Sequence, residues 1–135
     1  MKKLIAIFVA FGVVAILTAA SCGGSVSSVG STGSGGGGGQ RVHMGETTFL
    51  QPSITISKGG SLNLIDDVPV LHIIGNGSWV NNVAKPAKEP GAPVVNNLQF
   101  NAAGQSIAIG PFNTAGTFHI YCSVHLNMNL TVVVQ

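Results

Sequence analysis

From residue 40 onward, apolar and polar positions alternate in short bursts. Ile54-Thr55-Ile56 runs into the turn Lys58-Gly59-Gly60, and Leu62-Asn63-Leu64-Ile65 follows. Val70 to Ile74 forms another burst, closed by Gly75-Asn76-Gly77, and further bursts cover 94–100, 105–109, 116–122 and 129–134. Period-two alternation interrupted by Gly, Asn, Asp and Pro marks half-buried strands joined by tight turns. No stretch carries a helical period. The segment 75–93, with Pro86, Pro90 and Pro93, is expected to be a long ordered loop with room for one helical turn. Asp66-Asp67 reads as a turn and Trp79 as a packing residue that closes the sandwich or its loop. Seven or eight short strands in under a hundred residues, without internal repeats, predict an all-β two-sheet sandwich over 40–135.

The residues before 40 break this pattern. Met-Lys-Lys opens the chain, 4–17 are apolar apart from Gly12, and small residues lead to Ala19-Ala20-Ser21-Cys22. A basic start, an apolar run and small residues make an export signal over 1–22. The run is also about long enough to span a bilayer if it stays uncleaved. The pattern L-T-A-A-S-C resembles the lipobox of bacterial lipoproteins, which implies lipidation of Cys22; Ala19 stands where Leu is commoner. An uncleaved anchor and simple secretion are the alternatives. All three place the domain outside the cytoplasm, and the first two hold it to the outer face of a bacterial membrane, periplasmic or cell-surface. Residues 23–39 are Gly, Ser, Val and Thr only and end in five glycines. Such a tract is a flexible tether with an r.m.s. span of about 20–25 Å.

Removing the leader changes the charge. The whole chain has six Lys and Arg against four Asp and Glu. Without Lys2 and Lys3, Arg41, Lys58, Lys85 and Lys88 balance Glu46, Asp66, Asp67 and Glu89, so the exported domain is neutral. No basic patch with interleaved aromatics remains, which excludes a nucleic-acid partner on electrostatic grounds. The chain has two cysteines. With Cys22 at the membrane boundary, Cys122 is an unpaired thiol in an oxidising compartment. A partner chain, a reactive role or a metal would explain it, and a buried inert thiol is the plain alternative.

The richest stretch is Gly116-Thr-Phe-His-Ile-Tyr-Cys-Ser-Val-His-Leu-Asn-Met128, followed by the apolar run 129–134. It offers thiol, imidazole and thioether in a C-x2-H-x2-M spacing between two strands, as a loop wrapped around one metal needs. Thiolate with imidazole selects copper or zinc, and a thioether favours copper; His2Cys with a weak axial Met is the blue-copper arrangement. Cys122, His125 and Met128 are the candidates, and a second imidazole must come from elsewhere. Alternation along 116–122 puts Phe118, Ile120 and Cys122 on one face and His119 and Tyr121 on the other. His119 therefore points away from the metal, and His43 lies near the domain start. His72 sits in an apolar strand, where an unpartnered imidazole is costly, and is the best candidate.

The run G-x-[FY]-x-x-Y-C-x-x-H, carried by Gly116, Phe118, Tyr121, Cys122 and His125, resembles the plastocyanin and azurin family of cupredoxins, and the ligand-loop length is similar to that of amicyanin. His72 lies 50 positions before Cys122, close to the spacing in that family. The resemblance implies a Greek-key sandwich holding one copper ion at one end, bound by His72, Cys122, His125 and Met128. It also implies one-electron transfer to redox partners near the membrane, with His125, flanked by Val124 and Leu126, as the exit for the electron. Tyr121 is a second candidate route. Val124 and Leu126 replace prolines common in the family, and Ile73 replaces an Asn. The regained N–H of Val124, together with that of Ile73, is predicted to point at the Cys122 sulfur and raise the reduction potential; a lower potential in Val124→Pro would follow. An enzyme is not expected. Four His are too few for multicopper oxidase or nitrite reductase clusters, and no catalytic triad, paired carboxylates or phosphate loop stands out. The expected protein is a monomeric electron carrier. A surface copper carrier and a metal-free immunoglobulin-like module are the alternatives.

Overall fold

The computed structural model describes residues 39–135. The export signal, Cys22 and all but the last residue of the glycine tether lie outside the described residues. Nine strands and no helix make up the described chain. They are β1 (Gln40–Met44), β2 (Ser53–Ile56), β3 (Leu62–Asp66), β4 (His72–Val80), β5 (Val83–Pro86), β6 (Leu98–Phe100), β7 (Ser106–Ile109), β8 (Gly116–Cys122) and β9 (Asn129–Val134). One sheet has the order β1-β3-β7; the other runs β2-β9-β8-β4-β5, with β6 also on β4. The pairs β1–β3 and β2–β9 are parallel and the rest antiparallel. Successive strands change sheet at β1–β2, β2–β3, β3–β4, β6–β7 and β7–β8. These crossings are those of a Greek-key sandwich, as expected from the sequence.

Alternation supplies the core. Val42 and Met44, Leu62 and Leu64, Phe118 and Ile120, and Leu130, Val132 and Val134 point inward in turn and are all buried. Fully burying such a side chain contributes about 1.5–3 kcal/mol, so the two sheets hold each other through these alternating rows. Cys122 and Met128 belong to the same cluster, which places the candidate metal loop on the rigid body of the sandwich.

The structure has nine strands where seven or eight are expected. β1 is short, and only Val42 and Met44 of its five residues are buried, so it gives little alternation to read. The second difference is larger. Gly75-Asn76-Gly77 reads as a turn, yet β4 passes straight through it to Val80. The chain reverses instead at Asn81 and Asn82, both at positive φ (51° and 62°), and returns as β5. Two left-handed residues in a row form the two-residue hairpin turn that matches strand twist. Gly77, at φ 130°, answers a different need: a Cβ there would collide with the Lys85 carbonyl oxygen and lie 2.8 Å from the Pro86 Cα. Its glycine permits close approach of two backbones, a role that looks the same as a turn in sequence. Asn76 holds the next stretch. Its N–H donates to the Val95 carbonyl (2.9 Å), its Oδ1 accepts the Val95 N–H (2.7 Å), and its Nδ2 donates to the Pro93 carbonyl (3.2 Å). This clamp keeps 94–97 outside β6.

Candidate metal centre

Cys122 ends β8 and Asn129 begins β9, so residues 123–128 connect two paired strands at one end of the sandwich. The connection closes on itself. Cys122 N–H donates to the Met128 carbonyl (3.0 Å) and Met128 N–H to the His125 carbonyl (3.3 Å). Asn127 takes a positive φ of 60°, and its Nδ2 donates to Asn82 Oδ1 at the β4–β5 turn (2.7 Å). Ser123 ties the loop to β4: both its N–H (2.8 Å) and its hydroxyl (3.3 Å) donate to the Ile73 carbonyl. Since Ile74 pairs with Cys122, the first residue of β4, His72, comes up beside the thiol.

Three donor atoms converge there. Cys122 Sγ lies 3.9 Å from His72 Nδ1 and 3.6 Å from His125 Nδ1, and the two nitrogens are 3.2 Å apart. The centre of a triangle with those sides is about 2.1 Å from every corner, within the roughly 2.0–2.3 Å of imidazole and thiolate bonds to a metal such as zinc. These three side chains are the metal-capable His, Cys, Asp or Glu group among the described residues. The imidazole rings meet nearly edge to face, with centroids 4.8 Å apart at 66°. His72 and Cys122 are both 0% exposed, while His125 is half-buried beside the exposed Val124 and Leu126. A free cysteine and two imidazoles in a buried corner fit the ligand set of a type 1 copper centre.

Burial pushes the His72 imidazole below its ordinary pKa; the Asp66 carboxylate opposes that shift and the His125 imidazole adds to it. His72 is thus held neutral, the form that ligates a metal. The unfolded chain takes up the proton more readily than the folded one, so stability present above the unfolded value of 6.5 is lost as pH falls below it. The copper-free protein should show a falling urea midpoint between about pH 7 and pH 5, and His72→Leu should flatten that part of the profile.

The other sequence candidates fall into place around the triangle. Met128 is buried in the core at the loop's end, its main chain bonded to Cys122 and His125. His43 and His119 do not join the site: His43 Nδ1 pairs with Asp67 Oδ1 at 2.8 Å, and His119 Nδ1 with Glu89 Oε1 at 2.6 Å. Burial disfavours the Glu89 carboxylate, but hydrogen bonds from His119 and the backbone more than offset it and hold the carboxyl below its usual range. Tyr121 is 6% exposed and meets Trp79 edge to face, with ring centroids 6.3 Å apart. The Cys122 sulfur faces the two imidazole Nδ1 atoms at 3.9 and 3.6 Å. No bond from the Ile73 or Val124 N–H to this sulfur forms among the described residues. Ile73 acts through its carbonyl, which anchors Ser123.

Two residues matter here that the sequence reading assigned elsewhere. Trp79 packs against Tyr121, but its indole N–H also donates to the Cys122 carbonyl (2.8 Å), and its backbone exchanges bonds with the Asn129 side chain (2.7 and 3.1 Å). Both ends of the ligand loop are therefore pinned by one residue of β4. Trp79→Phe keeps most of the packing and removes that donor, which should cost about 1–3 kcal/mol. A lower urea midpoint and broadened copper EPR lines would register it; unchanged values would make the bond dispensable. Asp66, read as part of a turn, is the last residue of β3 and fully buried. The alternation Leu62, Leu64, Asp66 carries that signal in the sequence.

No family model matches this sequence, and no curated protein does. Solved structures do. The chain is similar to amicyanin from Paracoccus versutus (TM-score 0.54, 21% identity, over 72% of this chain and 81% of that one). It is likewise similar to a reduced amicyanin in which a Trp is replaced by Tyr (TM-score 0.54, 17% identity, 73% and 83%). An oxidised Pro-to-Gly variant of amicyanin also matches (TM-score 0.53, 16% identity, 81% and 88%). The described chain has the cupredoxin fold, of the amicyanin kind.

Proposed function

We propose that this protein is an extracytoplasmic electron carrier in which His72, Cys122, His125 and Met128 would hold one copper ion. The observation that carries the reading is the triangle of Cys122 Sγ and two Nδ1 atoms, sides 3.2–3.9 Å, in a dry corner of a cupredoxin fold. Copper bound there supplies a one-electron couple. The protein's part is to fix the donors in place. β4 holds His72, β8 holds Cys122, and the bonded loop holds His125 and Met128. Core residues exclude water from the thiolate and the first imidazole. His125 is the donor a partner can approach, and the exposed Val124 and Leu126 on either side give it an apolar surround. With formal charges balanced in the exported domain, docking rests on that apolar contact more than on steering by charge. The proposed setting is the outer face of a bacterial membrane, with a lipid on Cys22 and the tether letting a monomeric domain reach redox partners there. No catalytic role is assigned.

Titrating Cu(II) into the purified metal-free protein tests the reading. One equivalent should produce an intense visible charge-transfer band and narrow copper hyperfine splitting in EPR, and one electron per protein should bleach the band reversibly. Stoichiometric binding without that band would refute it, and a band with sluggish self-exchange would point to copper transport instead.

A further inference from the structure

Asp66 is a carboxylate with 0% exposure, a costly placement that a purely structural strand end does not require. Its backbone is satisfied, with N–H donating to the Gln105 carbonyl (2.9 Å) and C=O accepting from Gly104 N–H (2.6 Å). Its side chain is not. Oδ1 accepts one bond of 3.3 Å from Val68 N–H, and the buried Oδ2 has no partner. Oδ1 also lies 3.7 Å from Nε2 of His72, a nitrogen that is itself buried without a partner. The Gly45 carbonyl is another acceptor facing this ring.

The chemistry of the ring decides what these orphaned atoms do. Nδ1 of His72 faces the sulfur and the second imidazole, so a neutral ring that offers Nδ1 to a metal carries its proton on Nε2. That N–H needs an acceptor where bulk solvent has no access. We propose that Asp66 is the positioning residue of the buried ligand. Its carboxylate accepts the Nε2–H of His72 and so fixes the tautomer, the ring orientation and the donor strength of the imidazole. Closing 3.7 Å to a bond of about 3.0 Å takes only a small movement of carboxylate or ring. A carboxylate behind a metal-bound imidazole is a recognised way to raise ligand basicity. It favours the more highly charged Cu(II), so Asp66 lowers the reduction potential. This assignment rests on the copper reading of the site.

Two readouts test it. In the copper-free protein, nitrogen-15 NMR of His72 should show the Nε2–H tautomer as the dominant form, and Asp66→Leu should yield a mixture of tautomers. In the copper-loaded protein, Asp66→Asn, which keeps the shape and one acceptor oxygen, should weaken Cu(II) binding about 10–100-fold. Cu(I) binding should change less. Each tenfold change in the ratio of the two affinities raises the potential by about 59 mV for a one-electron couple. A dominant Nδ1–H tautomer in the copper-free native protein would overturn the assignment even if neither variant folds. So would variants that leave both tautomer and potential unchanged, a result that would make the Gly45 carbonyl the acceptor. The NMR readout needs no copper, so it separates failure of this assignment from failure of the copper reading.

Discussion

Cys122→Ser is expected to abolish the intense visible band of the copper-loaded protein while leaving the sandwich folded. The band requires a thiolate bonded to Cu(II), and a hydroxyl in its place supplies neither the charge transfer nor the soft donor. The loss of Cu(II) affinity should exceed the roughly 10–100-fold that follows removal of a ligand's hydrogen-bonding partner, because a corner of the donor triangle itself is gone. The fold should survive. Ser is close to Cys in size, and the backbone of residue 122 stays bonded through its N–H to Met128 and through its carbonyl to the Trp79 indole. Circular dichroism and a urea midpoint of the copper-free variant near that of the native protein would confirm this. A blue band retained in Cys122→Ser would mean that the sulfur is not the ligand.

Gly77→Ala should be the most destabilising small substitution in the domain, by about 2–4 kcal/mol. Residue 77 sits at φ 130°, where a side chain is strained before any contact is counted. The added methyl also meets backbone: the Lys85 carbonyl oxygen, the Pro86 Cα at 2.8 Å and the Ala87 nitrogen at 2.9 Å. Backbone atoms cannot rotate out of the way, so relief requires β5 to lift from β4. Two residues further along β4 is Trp79, which pins the Cys122 carbonyl, so the disturbance should also reach the metal loop. Urea unfolding of the copper-free protein measures the first effect, and copper EPR of the loaded protein the second. An unchanged midpoint would show that β5 detaches at no cost and that the hairpin is not part of the cooperative unit.

Much of the candidate centre is legible because three of the four candidate ligands are close in sequence. Cys122, His125 and Met128 fall within one turn between strands, and residue type with spacing suffices to suggest a metal. Alternation, which is local, sets His119 aside, and the cost of burying an unpartnered imidazole in an apolar strand points to His72. The structure brings His72, Cys122 and His125 together as that reasoning expects. Asp66 is missed: Leu62 and Leu64 set an inward parity that includes it, but two adjacent aspartates read as a turn. The β4–β5 hairpin failed for a related reason. Gly75 and Gly77 look like punctuation, and only the neighbouring strand reveals that Gly77 makes room for another backbone. Tyr121 and the N–H groups of Ile73 and Val124 show the remaining limit. Whether a side chain in a strand reaches the surface, or which acceptor an N–H finds, is decided by elements distant in the chain, here Trp79 and Ser123.

The seclusion of His72 and Cys122 governs how the solvent responds to a change of charge at this corner. Water can polarise around a charge only where it has access, and two of the three corners of the triangle are fully buried. The surrounding liquid therefore senses the site mainly through the His125 imidazole. Under the proposed electron-carrier reading, that single window would set most of the solvent contribution to the cost of moving an electron.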